Sequence, residues 1–319
     1  MRLLKLVPDN TNIGFVRLRF WAFGLTALLT LAAIALVAAR GLNLGVDFRG
    51  GVMIEARFPT PPSLDQVRGE IDRLGLGEAQ LQTFGSANTI SIRMPPPTAT
   101  DEGASNRLVN RVQGDVRAHH PGVSLNRVET VGGKVSKELI RNGFLAVFLA
   151  VLGIAVFSWL RYEWQFGVST FVAIAHDVLM TLGFFALTRL EFDLNIVAAV
   201  LTIIGYSIND KIVIDDRIRE NMRKYRSMDM RALIDLSVNE TLPRTVMTSL
   251  TVLLALASLL IFGGPVLRGF TAAMMLGVVV GTYSSIYVSS SLLITLGLDP
   301  QRIARKAASG PPAGAERIG

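Results

Sequence analysis

Cysteine is absent from the 319-residue sequence, and histidine occurs only three times. Without a thiol there can be no disulfide framework, thiolate metal site or cysteine nucleophile. His119, His120 and His176 stand outside any metal-ligand spacing with other donors. Charge is also scarce, at 18% of residues, and no HExxH, GxSxG or P-loop signature occurs. Neither an enzyme nor a bound cofactor or metal is expected. What the chain has is apolar: half of it is hydrophobic and its mean hydropathy is +0.43, too oily for an ordinary soluble domain. The formal net charge of +7 gathers beside apolar runs, where Lys and Arg set orientation and meet anionic headgroups. Membrane lipids, and not nucleic acid, are the expected contact.

A spanning helix needs about 20 apolar residues to cross roughly 30 Å of hydrocarbon. Six segments qualify, at 20–39, 142–160, 166–187, 194–214, 244–262 and 267–296, which predicts an all-α membrane bundle. The first exceeds the ~7 to 15 apolar residues of a secretory signal, so it is read as a retained span. Positive residues crowd the segment 1–19 (Arg2, Lys5, Arg17, Arg19), the loop 215–243 (Arg217, Arg219, Arg223, Lys224, Arg226, Arg231) and the tail 297–319 (Arg302, Arg305, Lys306, Arg317). By the positive-inside bias these are cytoplasmic, with both termini, and the insert 40–141 lies outside. Within the loop, Met230, Leu233, Ile234 and Val238 recur at helical spacing, as in a short interfacial helix or, equally, a helix that packs the loop. The Pro/Gly/Ala-rich tail is expected to be flexible.

The insert changes period several times. VMIEARF (Val52–Phe58), Ala79–Phe84, Thr89–Met94 and Val123–Val131 alternate like strands; Ser63 caps one amphipathic segment, and a second covers Glu102–His119. The order β-α-β-β-α-β is that of an α+β ferredoxin-like domain.

Chemistry concentrates inside the spans. Asp210, beside Asn209, lies in the apolar run LNIVAAVLTIIGYSINDKIVI, and His176 and Asp177 lie mid-way along the third span. Ionisable groups at that depth mark ion pathways or paired contacts. Arg244 opens the fifth span at a depth matching Asp210, so the two are expected to pair. Next to arginine a buried carboxylate keeps its charge; pulled away, it is relieved by taking a proton. A static ion pair is the alternative reading, and His176 and Asp177 have theirs in interhelical hydrogen bonding. Asp215 and Asp216 read as marking the cytoplasmic end of the span. Gly277 and Gly281 form a small-xxx-small face in the sixth span, which with Gly205 in the fourth is assigned to helix packing.

GVDFRGG (Gly45–Gly51), GYSINDKIVIDDRIREN (Gly205–Asn221), LPRTVMTSLT (Leu242–Thr251) and GVVVGTYSSIY (Gly277–Tyr287) together closely resemble the SecF family, the smaller membrane partners of SecD in bacterial protein export. The resemblance implies a six-helix member of the resistance-nodulation-division superfamily in the bacterial inner membrane, with one periplasmic domain. It implies a SecD partner, contact with the SecYEG channel and a translocating preprotein, and use of the proton motive force to promote translocation. Asp210 and Arg244 match the family's intramembrane aspartate and arginine, His176 and Asp177 its third-span motif, and Gly45, Asp47, Arg49, Gly50 and Gly51 its glycine motif. A non-conducting scaffold, and half of a small-molecule or lipid exporter, are the competing readings.

Overall fold

The computed structural model describes residues 8, 11–97 and 103–299; the expectations for Arg2, Lys5, Glu102 and the tail from 300 onward lie outside them. Six helices are long and apolar enough to cross a membrane. They are α1 (Arg19–Arg40), α5 (Gly133–Arg161), α6 (Trp164–Thr188), α7 (Leu194–Lys224), α8 (Met230–Phe262) and a last span in which α9 (Gly264–Tyr283) passes through a π-helical turn (Ser284–Ser289) into α10 (Ser290–Thr295). Helices α6 and α7 form the centre of the bundle, each half buried along its most apolar stretch, whereas α1 and α5 are almost bare there. Their exposed side chains, such as Trp21, Leu28, Phe144 and Leu160, are apolar.

Two helices depart from the sequence pattern. The amphipathic stretch around Leu233 and Val238 is no separate interfacial helix: α8 runs unbroken through Pro243. Proline removes the one backbone donor that the Asn239 carbonyl would have received, and just before it Thr241 Oγ1 donates to the carbonyls of Ser237 and Val238. Leu233, Ile234 and Val238 then bury against Phe15, Ile218, Met222 and Leu293 in one cluster at that end of the bundle. Helix α7 likewise continues beyond residue 214 to Lys224.

Between α1 and α5 lies an α+β insert. After a short helix α2 (Val46–Arg49) come β1 (Gly51–Arg57), α3 (Leu64–Asp72), β2 (Gln80–Phe84), β3 (Ser86–Met94), α4 (Ala104–His119) and β4 (Ser124–Val131). The sheet is antiparallel throughout, in order β2-β3-β1-β4. Strand alternation sends Val52, Ile54, Ala56, Ile90 and Ile92 to one face, where Val67, Ile71, Leu108, Val112 and Val116 of α3 and α4 cover them. Ser63 caps α3 by accepting from the Gln66 amide, which fixes where the helix starts. Strand β3 begins at Ser86, inside what reads in sequence as a turn, because Ser86 pairs with Phe84 across a register shift.

The glycine motif supplies the joint between α1 and the sheet. Gly50 and Gly51 have φ of 71° and 108°, a region that costs an L side chain steric strain. A Cβ on Gly51 would also strike the Met94 carbonyl of β3. Both features let the chain turn from α2 into β1 close against the end of β3.

Candidate functional site

Polar groups meet deepest in the bundle where α6, α7 and the π turn touch. Asp177 is 1% exposed, and its Oδ2 accepts from Ser207 Oγ of α7 at 2.6 Å and from Ser284 Oγ of the π turn at 3.0 Å. Its Oδ1 has no partner among the described residues. The neighbouring His176 shares a hydrogen bond of 2.9 Å between Nδ1 and Thr30 Oγ1 of α1. One dipeptide thus ties α6 to α1, α7 and the last span.

Close helix approach makes that junction possible. A Cβ on Gly277 would collide with Ile203, and one on Gly281 would lie 3.0 Å from the Ser207 Cβ, so the small face of α9 lies directly on α7. Gly205 differs: it is exposed, with open space where its Cβ would stand. Below Gly281 the π turn inserts an extra residue, turning Ser284 toward Asp177 and Ser285 Oγ toward the Ser207 carbonyl at 3.4 Å. Such turns recur at functional positions because they break the regular ladder.

Asp210 lies nearly one turn further along α7, 3% exposed, with Oδ2 buried and unpartnered among the described residues. Arg244 is exposed on α8, within electrostatic reach of Asp210 but in no ion pair with it among the described residues. The direct contact expected from matched depths is therefore not made. Matching depth fixes the height of two side chains but not the angle around their helices. Asn209 faces outward. The α7–α8–α9 contact is made instead by Tyr206, whose hydroxyl donates to Ser249 Oγ at 3.0 Å, and by Ser249 with Thr282 at 2.8 Å.

Sequence reasoning missed a buried charge pair. Lys211 Nζ donates to both Asp215 oxygens at 2.7 and 2.6 Å, with side chains 3% and 1% exposed. Asp215 thus lies inside the bundle and does not mark its edge. The i,i+4 spacing of Lys211 and Asp215 is a legible signal, hidden because both stand in a charge-rich stretch. Asp216, the next residue, is at the surface, where its Oδ1 accepts from the Tyr162 hydroxyl at 2.8 Å.

At the opposite end the glycine motif and the α6–α7 connection form a polar collar. Asp47 Oδ2 accepts from the Leu194 amide at 2.9 Å and Asp193 Oδ1 from the Ile196 amide at 3.1 Å, so two carboxylates hold the start of α7. Gly45 donates to the Phe192 carbonyl at 2.9 Å, and Arg49 Nη1 donates to Gln80 Oε1 of β2 at 2.9 Å. Arg93 of β3 pairs with Glu191 at 3.0 Å. Burial pushes the Glu191 carboxyl above its ordinary value, opposed by that guanidinium. Arg189, in the left-handed region at φ 60°, donates to the carbonyls of Arg40 and Gly41. A cleft of about 420 Å³ opens between the uncovered face of the sheet (Met53, Arg93, Glu129) and the ends of α7 and α9 (Ile196, Phe270). It lies away from the buried carboxylates.

The chain matches two sequence families, "Protein export membrane protein SecD/SecF, C-terminal" over residues 112–299 and "SecD/SecF GG Motif" over residues 35–61. It is 43% identical over 306 residues to the protein translocase subunit SecF of Cereibacter sphaeroides, covering 93% of each chain. With the protein of the same name from Escherichia coli O157:H7 it shares 42% over 285 residues, covering 89% of this chain and 88% of that one. Among solved structures it is similar to SecDF, a translocon-associated membrane protein from Thermus thermophilus, with TM-score 0.82 and 36% identity over 91% of this chain. It spans only 39% of that longer SecDF chain. A second SecDF crystal structure, in a "Super-membrane-facing form", gives TM-score 0.67.

Proposed function

The chain belongs to the SecF family, and from that premise we propose that it is an auxiliary subunit of protein export which, with a SecD partner, uses the proton motive force to promote preprotein translocation. The observation that carries this reading is the pair of buried carboxylates, Asp177 and Asp210, each with an oxygen lacking a partner among the described residues. A buried charge without its counter-charge is costly, and protonation relieves it. Arg244 within reach of Asp210, but not bonded to it, is what a two-position contact requires: approach favours the carboxylate and withdrawal favours the acid. A transmembrane field worth about 2.3 kcal/mol per charge per 100 mV is enough to bias such an element.

The remaining parts follow from the same premise. The protein resides in the bacterial inner membrane with both termini cytoplasmic, as the Lys/Arg bias favours. The insert is a ferredoxin-like periplasmic domain, supported by its element order and by the strand order β2-β3-β1-β4. SecD completes a larger bundle of the resistance-nodulation-division type, and SecYEG and the emerging preprotein are the further partners. Enzymatic turnover has no part in this reading. Substituting Asp210→Asn tests it in membrane vesicles: loss of proton-driven export with the complex still assembled is expected. Undiminished export would establish the scaffold reading instead.

A further inference from the structure

Ser207, Lys211 and Asp215 stand at i, i+4 and i+8 on α7, each no more than 2% exposed. They form one polar stripe about 12 Å long at 1.5 Å per residue. Its upper end is joined to Asp177 by the 2.6 Å bond from Ser207. Its lower end, Asp215, precedes the surface carboxylate Asp216. The walls are apolar: Phe166, 5.8 Å from Lys211 Nζ, and Ile214 and Ile218 are buried there. The charged and titratable groups around the stripe are Asp177 and His176 of α6, Asp210 and Asp216 of α7, Arg161 of α5 and, bonded to Asp216 at the lower end, the Tyr162 hydroxyl.

A buried ammonium–carboxylate pair is a poor way to hold two turns of one helix together, because apolar residues of the same volume do that as well or better. Its placement between Asp177, a buried carboxylate with one oxygen lacking a partner among the described residues, and the cytoplasmic end of the bundle gives it another use. We propose that Ser207, Lys211 and Asp215 form the inner half of the proton route, carrying protons from Asp177 to the cytoplasmic surface. This inference rests on the proton-driven reading above. The Lys211 ammonium gives a proton to the Asp215 carboxylate, leaving a neutral amine and a carboxylic acid. Asp215 releases that proton toward Asp216 and the cytoplasm. The amine then takes the proton of Asp177 through the Ser207 hydroxyl, which accepts one proton as it donates another, and the ion pair is restored. Lysine suits the middle position because its flexible stem has Asp215 one turn ahead and Ser207 one turn behind on the same face of α7, and its ammonium, unlike a guanidinium, can release a proton.

Lys211→Arg separates conduction from structure, since arginine keeps the pair with Asp215 but does not release its proton. The second variant is Lys211→Leu with Asp215→Leu, which keeps the volume apolar and removes the path. Both are measured in the complex with its SecD partner, reconstituted in liposomes that enclose a pH-sensitive dye, beside the wild type and Asp210→Asn. Expected is a loss of proton uptake on the order of 100-fold in both, the size of one positioned proton-transfer group, with co-purification and melting temperature unchanged. Wild-type uptake in Lys211→Arg, or in the double-leucine variant, overturns the route while leaving the proton-driven reading standing. No uptake by the wild type, or undiminished uptake by Asp210→Asn, overturns that reading and the route together.

Discussion

Arg244 is the residue whose environment decides most. It is exposed on α8 and forms no ion pair with Asp210 among the described residues, so its role depends on how it meets the carboxylate when the helices move. A guanidinium forks onto a carboxylate in a fixed plane, whereas an ammonium offers only charge. Arg244→Ala is therefore expected to abolish proton-driven export and Arg244→Lys to reduce it less; equal export in both variants, assayed in membrane vesicles, would remove the pair from the mechanism. The glycines divide just as sharply. A side chain at Gly277 meets Ile203, whereas one at Gly205 meets nothing. Gly277→Val is expected to lose about 1–3 kcal/mol by overpacking, and Gly205→Ala to be neutral or to gain up to about 1 kcal/mol in helix propensity. Melting temperatures of the purified full chain distinguish them. The residue types at Gly277, Gly281, Asp177 and Asp210 were legible in the sequence, because small or ionisable residues stand out in an apolar run. Which of them touch was not: helical phase relative to a neighbouring helix is set by packing, and Lys211 with Asp215 vanished into a stretch of ordinary surface charge.

At the scale of elements, periodicity was read well where one face is apolar and the other wet. The strands of the insert and its two longer helices are of this kind, and Ser63 does cap α3. It failed where continuity depends on tertiary partners. Pro243 and the polar residues before it mimic a loop, yet Leu233 and Val238 bury against Phe15 and Ile218 and carry α8 straight through. Helix α2 is too short to show a period at all. The insert also contains a contact with a predictable pH dependence. His120 Nε2 lies 2.8 Å from Glu70 Oε2, joining the end of α4 to α3 beneath Phe58. Burial alone would raise the Glu70 carboxyl, but the bonds from His120 and Gln66 outweigh it and hold it below its ordinary value. A lowered acid stabilises the fold fully above the unfolded value, near 4.3, and loses that contribution as pH falls through the folded value. Glu70→Gln is thus expected to cost about 1–2 kcal/mol near neutral pH and progressively less below about pH 4. Thermal unfolding as a function of pH checks this, and a cost that does not change with pH would leave only packing.

The whole molecule has two unlike ends. At one, Arg268 Nη1 donates to the Gly85 carbonyl, and the α6–α7 connection grips the insert through Arg189, Glu191 and the Leu194 amide. At the other, Phe15, Met222, Leu233 and Leu298 share one cluster, so the segment before α1, the α7–α8 connection and the end of the last span lie together. This grouping follows from packing alone. Which end faces the cytoplasm does not, and must come from charge. The second end carries Arg217, Arg219, Arg223, Lys224, Arg226 and Arg231 around one connection, whereas the two short connections at the first carry only Arg189 and Arg268. Positive charge is retained on the cytoplasmic side, so the insert is expected to face outward. The absence of cysteine makes the test clean, because a single introduced thiol is the only one in the chain. Ser124 in the insert and Ser227 in the α7–α8 connection are both exposed, so a change to cysteine at either should leave packing untouched. A membrane-impermeant maleimide applied to intact spheroplasts is expected to label Ser124→Cys and to spare Ser227→Cys until the membrane is opened. The reverse pattern would invert the molecule, and with it the direction in which the Asp177–Ser207–Lys211–Asp215 stripe could carry a proton.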